Sequence, residues 1–145
     1  MAALVWAGAD RDAWHPVGDH AAAIARSAAL LADLGLDRLA DRPVRSLGYG
    51  EQRQLEIAVA LALDPHLLLL DEPTAGLSVA ETGVLVALVE RLPADLSVVL
   101  IEHDLGVVYK LTDRLSVLLN GELIADGSTA EVRRDPRVRE AYLGT

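Results

Sequence analysis

The sequence contains no cysteine, and only five of its 145 residues are aromatic, two Trp and three Tyr with no Phe. Without cysteine, the chain has neither a disulfide framework nor a cysteine-based zinc site. The few aromatic side chains are expected to serve packing or interfaces, because a stacking platform for nucleic-acid bases needs several of them on one surface. The absence of cysteine is compatible with a reducing, cytoplasmic setting.

Positive charge is also scarce. The chain carries 13 Lys and Arg against 22 Asp and Glu, for a net charge of −9. A phosphate backbone or an anionic membrane surface would be repelled by this balance. We therefore expect no nucleic-acid partner.

Long apolar runs are missing as well. A membrane-spanning helix needs about 18 or more consecutive apolar residues, and the longest candidates here are interrupted by Arg26, Asp33, Asp71 and Glu102. The first twelve residues have no basic region and make a poor signal peptide. The expected protein has no direct membrane insertion, and it serves a membrane, if it does so, from the cytoplasm.

The residues that are present follow helix and strand patterns in alternation. The composition, 52% hydrophobic and 24% charged, suits one compact α/β layered domain. Capping boxes begin at Ser78 and Ser128, Asn120-Gly121 predicts a hairpin turn, and Gly35 is a helix stop. The predicted helices are 20–36, 51–63, 78–92, 105–110 and a turn or two from Pro136; the predicted strands are 67–70, 96–101, 115–119 and 123–125. The apolar strands 67–70 and 96–101 predict burial on both sheet faces.

A glycine-containing loop, Gly48-Tyr49-Gly50-Glu51, opens the second helix. Glycines let the backbone approach a ligand, and the amides and dipole at a helix N-terminus favour an anion such as phosphate. The alternative is a simple helix entry with no ligand. The loop alone does not decide between them.

Two carboxylates, Asp71 and Glu72, directly follow a predicted strand. Ligands of open α/β folds bind at this sheet edge. Asp71 could hold Mg²⁺ through a water, because Mg²⁺ keeps much of its hydration shell. Glu72 could orient and deprotonate an attacking water. The alternative is an Asp-Glu pair that only solvates a turn.

His103 follows the next predicted strand. A neutral imidazole there could hydrogen-bond a terminal phosphate and link it to Glu72, although a lone His after a strand is more often a solvated turn residue. Between these features Gly76 lies in a turn and Ser78 is explained as an N-cap. We expect Asp71, Glu72 and His103 to converge at one sheet edge.

In this order the motifs resemble the second half of ABC transporter ATPases. The loop at Gly48 resembles the signature loop, and the run ending in Asp71-Glu72-Pro73 resembles the Walker B strand with its catalytic Glu. The segment 75–78 resembles the D-loop, and His103 resembles the switch His. The segments 121–127, 131–132 and 135–144 are similar to ATP-binding subunits of branched-chain amino acid importers. The pair Tyr49-Gly50 and the run 54–58 resemble the same subgroup.

This resemblance implies a fold and a domain arrangement. The fold is α/β, a partial P-loop NTPase (ABC ATPase) fold with a mainly parallel sheet flanked by helices and part of the helical signature subdomain. Residues 1–63 would belong to that subdomain. Residues 64–145 would form the C-terminal part of the catalytic core, and the first half of the full domain would be absent, so that the chain is truncated.

The resemblance also implies roles in a head-to-tail dimer with ATP and Mg²⁺ in the interface. Gly48, Tyr49, Gly50 and Glu51 would contact the ATP held by the opposite subunit, and Gly76 and Ser78 would form the D-loop. Asp71 would hold Mg²⁺ through water. Glu72 and His103 would be the catalytic residues.

The implied partners are a second ABC ATPase subunit and membrane permease subunits. The implied location is cytoplasmic, peripheral on the inner face of the plasma membrane through the permease. The implied function is the C-terminal half of an ATP-hydrolysing subunit that powers import of branched-chain or related amino acids.

Departures from the family pattern bear on activity. No G-x-x-x-x-G-K-[ST] phosphate loop occurs in the sequence, and Lys110 is the only lysine. Gly48 stands where the family usually has Ser, which removes one hydroxyl from the signature loop. Val59 stands where relatives commonly carry Arg, and nothing in the sequence explains that change.

Two other classes of function stay open. One is a non-catalytic interaction or regulatory module that pairs with an intact ABC ATPase. The other is an ABC ATPase of a non-transport process, such as DNA repair or translation, which the tail resemblance and the acidic balance disfavour.

The 145-residue chain by itself is expected neither to bind ATP tightly nor to hydrolyse it. Asp71 and Glu72 bring negative charge towards a polyanion, whereas the sequence offers no phosphate-loop amides, Lys or Mg²⁺-binding hydroxyl to offset it. Titration calorimetry with MgATP should give no saturating heat, with a family member that contains the loop as the positive control. Tight, Mg²⁺-dependent binding would contradict the expectation.

Overall fold

A computed structural model describes residues 21–143, with the side chain of residue 143 left out. The chain divides into two compact units, residues 1–99 and 100–145, which are described separately. Residues 1–20 of the predicted signature subdomain, including the predicted helix start at residue 20, lie outside the described residues, as does Gly144. None of the described helices is long and apolar enough to cross a membrane.

The elements follow the predicted order, with bounds shifted by a few residues. The helices are α1 (Ala21–Asp33), α2 (Tyr49–Leu61), α3 (Val79–Val89), α4 (Leu105–Leu111), α5 (Thr129–Val132) and α6 (Pro136–Leu143), and the strands are β1 (Leu67–Asp71), β2 (Ser97–Ile101), β3 (Arg114–Leu119) and β4 (Glu122–Ser128). Two short 3-10 turns, Asp37–Leu39 and Val44–Ser46, connect α1 to α2.

Gly35 terminates α1 as the sequence predicts. Its φ is +71°, a left-handed conformation that glycine adopts without a steric penalty. The amide of Gly35 donates to the carbonyl of Ala32 at 2.9 Å, and the amide of Leu36 donates to that of Leu31 at 2.7 Å. This pair of bonds is a Schellman cap, and it brings Leu36 into the core.

Helix α2 buries the residues of one face, whereas its apolar composition predicts packing on more than one side. Ile57, Ala58 and Ala62 are buried, and so is the polar Gln54. The helix ends before Pro65, where the preceding Asp64 has a φ of +54°. It contacts α3, which begins at the predicted N-cap.

Strands β1 and β2 are hydrogen-bonded neighbours in a two-stranded sheet. The prediction that both strands are buried on both faces is wrong for this chain. Along β1 only alternate residues are buried, and Leu69 is 69% exposed. No residue of β2 is fully buried. An all-apolar run shows that a strand can be buried on both faces. Actual burial also requires other residues to pack against each face.

The second unit is built on the predicted hairpin. Strands β3 and β4 pair antiparallel around Asn120 and Gly121, whose φ angles are +51° and +84°. Two successive residues with positive φ form the type I′ turn that Asn-Gly favours. The register shifts between Val117 and Leu118, which marks a β-bulge or similar irregularity in the ladder.

A small core lies on one side of this hairpin. Val117, Ala125, Val132 and Val138 are buried together, with Leu115 and Ile124 packed against them. The Ser128 capping box that begins α5 is formed as predicted: its hydroxyl accepts the amide of Glu131 at 3.3 Å and donates to the Glu131 carboxylate at 2.6 Å. The cap fixes the direction in which α5 and α6 return over the hairpin.

Replacement of Val117 by alanine is expected to destabilise the second unit by about 2 kcal/mol, through lost burial and the residual cavity. Its neighbour provides the control, because Leu118 on the same strand is 62% exposed and Val117 only 4%. Leu118→Ala should cost less than about 0.5 kcal/mol. Hydrogen exchange of the β3 and β4 amides measures both. Equal effects would show that the two residues do not differ in burial.

Candidate functional site

The predicted signature loop forms the start of α2. Gly48 is the N-cap residue in an extended conformation, and its amide donates to the Glu51 carboxylate at 3.1 Å. The carboxylate thus returns to the N-cap as in a capping box, although Gly48 has no hydroxyl to complete the reciprocal bond. Two predicted site residues therefore define the geometry of the loop.

Two arginines converge on Glu51. The guanidinium of Arg38 lies 2.5 Å from one carboxylate oxygen, and that of Arg42 lies 3.1 Å from the other. The hydrogen bond from Arg38, then that from the Gly48 amide, lowers the pKa of Glu51. Arg42 also donates to the carbonyl of Ser46 at 2.8 Å, which ties the preceding turn to the loop. This position therefore carries two positive charges against one negative charge.

Tyr49 is held at the surface by Arg53, one helical turn away. The Arg53 guanidinium donates to the tyrosine hydroxyl at 2.7 Å and 3.1 Å, and it also lies 5.0 Å from the ring centroid. Arg53 is itself paired with Glu56 at 2.8 Å. Tyr49 is about half exposed, so its orientation is defined while one side remains accessible.

The signature loop and the D-loop are packed against each other. A Cβ placed on Gly50 would lie 2.8 Å from a carboxylate oxygen of Glu81, and one on Gly76 would lie 3.3 Å from the Tyr49 ring. Gly76 also has a φ of +76°. Only glycine fits at Gly50 without displacing Glu81, so close approach rather than flexibility explains that residue.

Glu81 connects these loops, and the sequence analysis assigned it only a capping role. Its carboxylate accepts bonds from the Ser78 hydroxyl at 2.6 Å and the Ser78 amide at 2.9 Å. These bonds, with a weaker contribution from the Gly50 amide, lower the pKa of Glu81. The capping-box pattern could identify the bond to Ser78, but no local signal indicates the contact with Gly50.

Asp71 and Glu72 occupy the end of β1 and are both exposed. Glu72 has a φ of +43°. Left-handed backbone at a residue other than glycine costs about 1–3 kcal/mol and clusters at functional sites. The carbonyl of Glu72 accepts the amide of Ala75 at 3.0 Å and so closes the turn that leads to the D-loop. The strained position therefore lies at the predicted catalytic Glu.

His103 belongs to the second unit and precedes α4. Its side chain is 69% exposed, whereas the Glu102 side chain beside it is fully buried, with Nδ1 of His103 3.9 Å from a Glu102 oxygen. The Glu102 carboxylate also accepts the His103 amide at 3.2 Å. Asp104 caps α4 through the amide of Gly106 at 2.8 Å. Glu102 is a second residue that the sequence analysis did not select.

The predicted site residues of the first unit thus fall into two local groups, the packed signature and D-loops and the strand end at Asp71 and Glu72. The convergence of His103 with Asp71 and Glu72 stays a prediction. Within residues 21–143, no three His, Asp or Glu side chains form a metal-binding cluster. A single exposed Asp71 fits Mg²⁺, which proteins bind through one or two carboxylates together with substrate phosphates and water.

Two protein families match the sequence. The family described as "ABC transporter" matches residues 9–75, and that described as "Branched-chain amino acid ATP-binding cassette transporter" matches residues 122–145. The first match contains the predicted signature loop and Asp71-Glu72, and the second contains all of β4, α5 and α6.

Curated relatives agree with these families. The high-affinity branched-chain amino acid transport ATP-binding protein BraF of Pseudomonas aeruginosa is 41% identical over 116 residues, which are 79% of this chain and 46% of BraF. The corresponding protein LivG of Escherichia coli K12 is 40% identical over 124 residues, 84% of this chain and 49% of LivG. The chain spans about half the length of the curated relatives it matches.

Solved structures show the same relationship. The ADP conformation of MJ1267, an ATP-binding cassette of an ABC transporter, matches with a TM-score of 0.71 and 33% identity, over 82% of this chain and 49% of that one. CbiO1 from Clostridium perfringens, part of an ABC transporter complex, matches with a TM-score of 0.73 and 27% identity, over 97% of this chain and 55% of that one. The described structure is therefore a partial ABC ATPase fold.

Replacement of Glu51 by glutamine is expected to lower the melting temperature near neutral pH, because Arg38 and Arg42 lose their shared carboxylate. The folded-state pKa of Glu51 lies below the ordinary value of 4.5. Its contribution is therefore complete above that value and is lost as the pH falls through the folded pKa. The difference between parent and variant should shrink as the solution is acidified below pH 4.5.

Glu56→Gln is the matched control, since Glu56 lies on the same helix and pairs only with Arg53 across an exposed surface. Its melting temperature should differ little from that of the parent at any pH. A Glu51→Gln melting temperature equal to that of the control near neutral pH would show that the cluster does not stabilise the loop.

Proposed function

Because this chain is a relative of the ATP-binding proteins of ABC transporters, we propose that it forms the C-terminal part of an ATP-hydrolysing subunit that powers import of branched-chain or related amino acids. The observation that carries this proposal is the joint match of two segments. One contains the signature loop and the strand-end carboxylates, and the other is a C-terminal segment described for branched-chain amino acid transporters.

The strand end supplies the proposed chemistry. Asp71 is exposed and would hold Mg²⁺, which neutralises charge on the phosphates when bound. Glu72 would orient the attacking water and accept its proton. Its backbone is left-handed, with a φ of +43°, which would direct its carboxylate differently from that of Asp71. His103 would donate a hydrogen bond to the terminal phosphate oxygen.

The signature loop would contribute to the nucleotide of a second subunit. Its Gly48 amide already faces the Glu51 carboxylate, which by itself would oppose a phosphate. Arg38 and Arg42 more than balance that carboxylate, so the positive end of α2 remains favourable for an anion. Gly76 and Ser78 of the predicted D-loop lie beside the predicted signature loop. Contact of the signature loop with the second subunit would therefore also affect the D-loop.

The proposed partners are a second ABC ATPase subunit and membrane permease subunits, which would hold the chain at the inner face of the plasma membrane. The exposed residues of β1 and β2 support a larger assembly. Leu67, Leu69, Val99 and Ile101 each expose about half or more of their surface. Such an apolar sheet surface is normally covered by another layer, and the relatives are about twice as long as this chain.

A second candidate is a non-catalytic module that pairs with an intact ABC ATPase. It is favoured by one observation, the absence of a Gly-Lys-Ser/Thr run from the 145 residues. An ATPase assay with and without a partner that bears the phosphate loop separates the two candidates. Turnover that depends on Glu72 supports the catalytic role, and a change in the partner's rate that is independent of Glu72 supports the module.

In an assembly that includes the phosphate loop, Glu72→Gln is expected to reduce ATP turnover by about 10²–10⁴-fold while leaving ATP affinity unchanged, because a positioned base contributes to the chemical step. Glu140→Gln, an exposed carboxylate on α6, should leave both quantities as in the parent. Single-turnover hydrolysis and equilibrium binding measure the two effects. A parallel loss of binding and turnover would count against the catalytic role of Glu72.

A further inference from the structure

The second unit contains a cavity that none of the site residues described above line. Its volume is about 750 Å³, within the range of about 300–1,000 Å³ that small-molecule sites occupy. Leu105 and Tyr109 of α4 form one wall, and Val138 of α6 contributes to the other. These residues provide an apolar floor beneath an open mouth.

Three arginines surround the mouth of this cavity. Arg133 and Arg134 follow α5, and Arg139 lies on α6. All three are exposed. In a chain with a net charge of −9, this is a local reversal of sign: between residues 133 and 140, four arginines stand against two carboxylates.

Within the described part of the chain, these arginines form no ion pair. Among residues 21–143, none of the three has a carboxylate within salt-bridge distance, whereas Arg114 and Arg137 of the same unit pair with Asp126 and Asp135 at 2.6 Å and 2.7 Å. Ion pairing is therefore available in this unit. The cavity arginines do not take part in it.

The nearby carboxylates have other partners. Asp135 accepts two bonds from the Arg137 side chain and one from its amide, which lowers the pKa of Asp135. Glu131 is held by Ser128, which lowers its pKa as well. Asp104 is engaged with the first amides of α4. These three acids are directed to their own partners.

One arginine is also oriented. The guanidinium of Arg133 lies 5.1 Å from the centroid of the Tyr109 ring. A guanidinium that stacks on an aromatic ring keeps its in-plane N–H groups available for two parallel hydrogen bonds to a carboxylate or phosphate. The tyrosine therefore restricts Arg133 without using its donors.

From the cavity, the three arginines without carboxylate partners and the stacked geometry, we infer a binding site for a small organic anion whose charged group is a multivalent oxyanion. The guanidinium groups bind the charged end, and Leu105 and Tyr109 contact an apolar portion of the ligand. A phosphate ester and a polycarboxylate share this chemistry. A bound anion links α4 to α6, because the lining residues belong to both helices and to the segment between α5 and α6.

The test is a titration of the isotopically labelled full chain by NMR at constant ionic strength, with pyrophosphate in one arm and citrate in the other. Saturable shifts are expected at amides of α4 and of residues 130–139. Saturation with pyrophosphate alone assigns the site to phosphate ligands, and saturation with both assigns it to multivalent oxyanions in general. Constant ionic strength removes the effect of general screening.

Arg134→Gln combined with Arg139→Gln should weaken binding by about tenfold or more, as expected for the loss of two charge-assisted hydrogen bonds at an exposed site. Arg114→Gln is the matched control, because it removes the same charge from the same unit outside the cavity. Its affinity should stay within about twofold of the parent. The dispersion of each variant's spectrum reports whether it is folded.

If the double variant does not fold, the single variant Arg134→Lys replaces it. That variant keeps the charge but loses the planar fork, so weaker binding is again expected. The proposal is overturned if neither anion gives saturable shifts at millimolar concentration. It is also overturned if the cavity variant and the Arg114→Gln control lose affinity equally, because binding would then follow net charge alone.

Discussion

The carboxylate of Glu81 is the contact on which the proposed signature and D-loop arrangement depends. It closes the N-terminus of α3 through Ser78 and at the same time contacts the backbone of Gly50 at the N-terminus of α2. The Glu81 carboxylate accepts the Ser78 donors at the start of α3 and lies against the backbone at the start of α2, where an anion is electrostatically favourable. Because Gly50 has no side chain, the two helix starts approach each other closely enough for this sharing.

A second ionic cluster supports the same loop from the other side. Glu51 receives Arg38 and Arg42 from the segment between α1 and α2, and it also receives the Gly48 amide. The short 3-10 turns of that segment are thereby fixed to the helix that follows. Charged side chains contribute to holding the loop, so its structure is expected to respond to acidity and ionic strength.

Much of this arrangement could be predicted because its signals are local. Gly35, Ser78, Ser128 and Asn120-Gly121 each act within four or five residues, and the structure confirms all four. The contact between Gly50 and Glu81 spans 31 positions and depends on how two helices pack, so no local pattern contains it. The same reason explains why the burial of the Glu102 side chain went unpredicted.

The strands show a different limit. Four successive leucines in β1 have no polar partner to define an outer face, so their sequence predicts burial on both sides. In the structure alternate leucines are exposed. The apolar run therefore identified the strand, whereas its burial depends on which other residues lie against it, and the run itself does not contain that information. The sequence likewise identified Asp71, Glu72 and His103 as candidates. Whether these three side chains lie close together depends on how the two units are placed, which local sequence patterns do not specify.

The irregular register of the β3–β4 hairpin has a consequence for solubility. Beyond the shift, Leu118 pairs with Leu123, and both side chains are about three-fifths exposed. A regular ladder ending in such leucines would offer a flat template for edge-to-edge addition of another strand. The interruption bends and twists the ladder locally. The hairpin can thus display an apolar tip while its backbone resists growth into an extended intermolecular sheet.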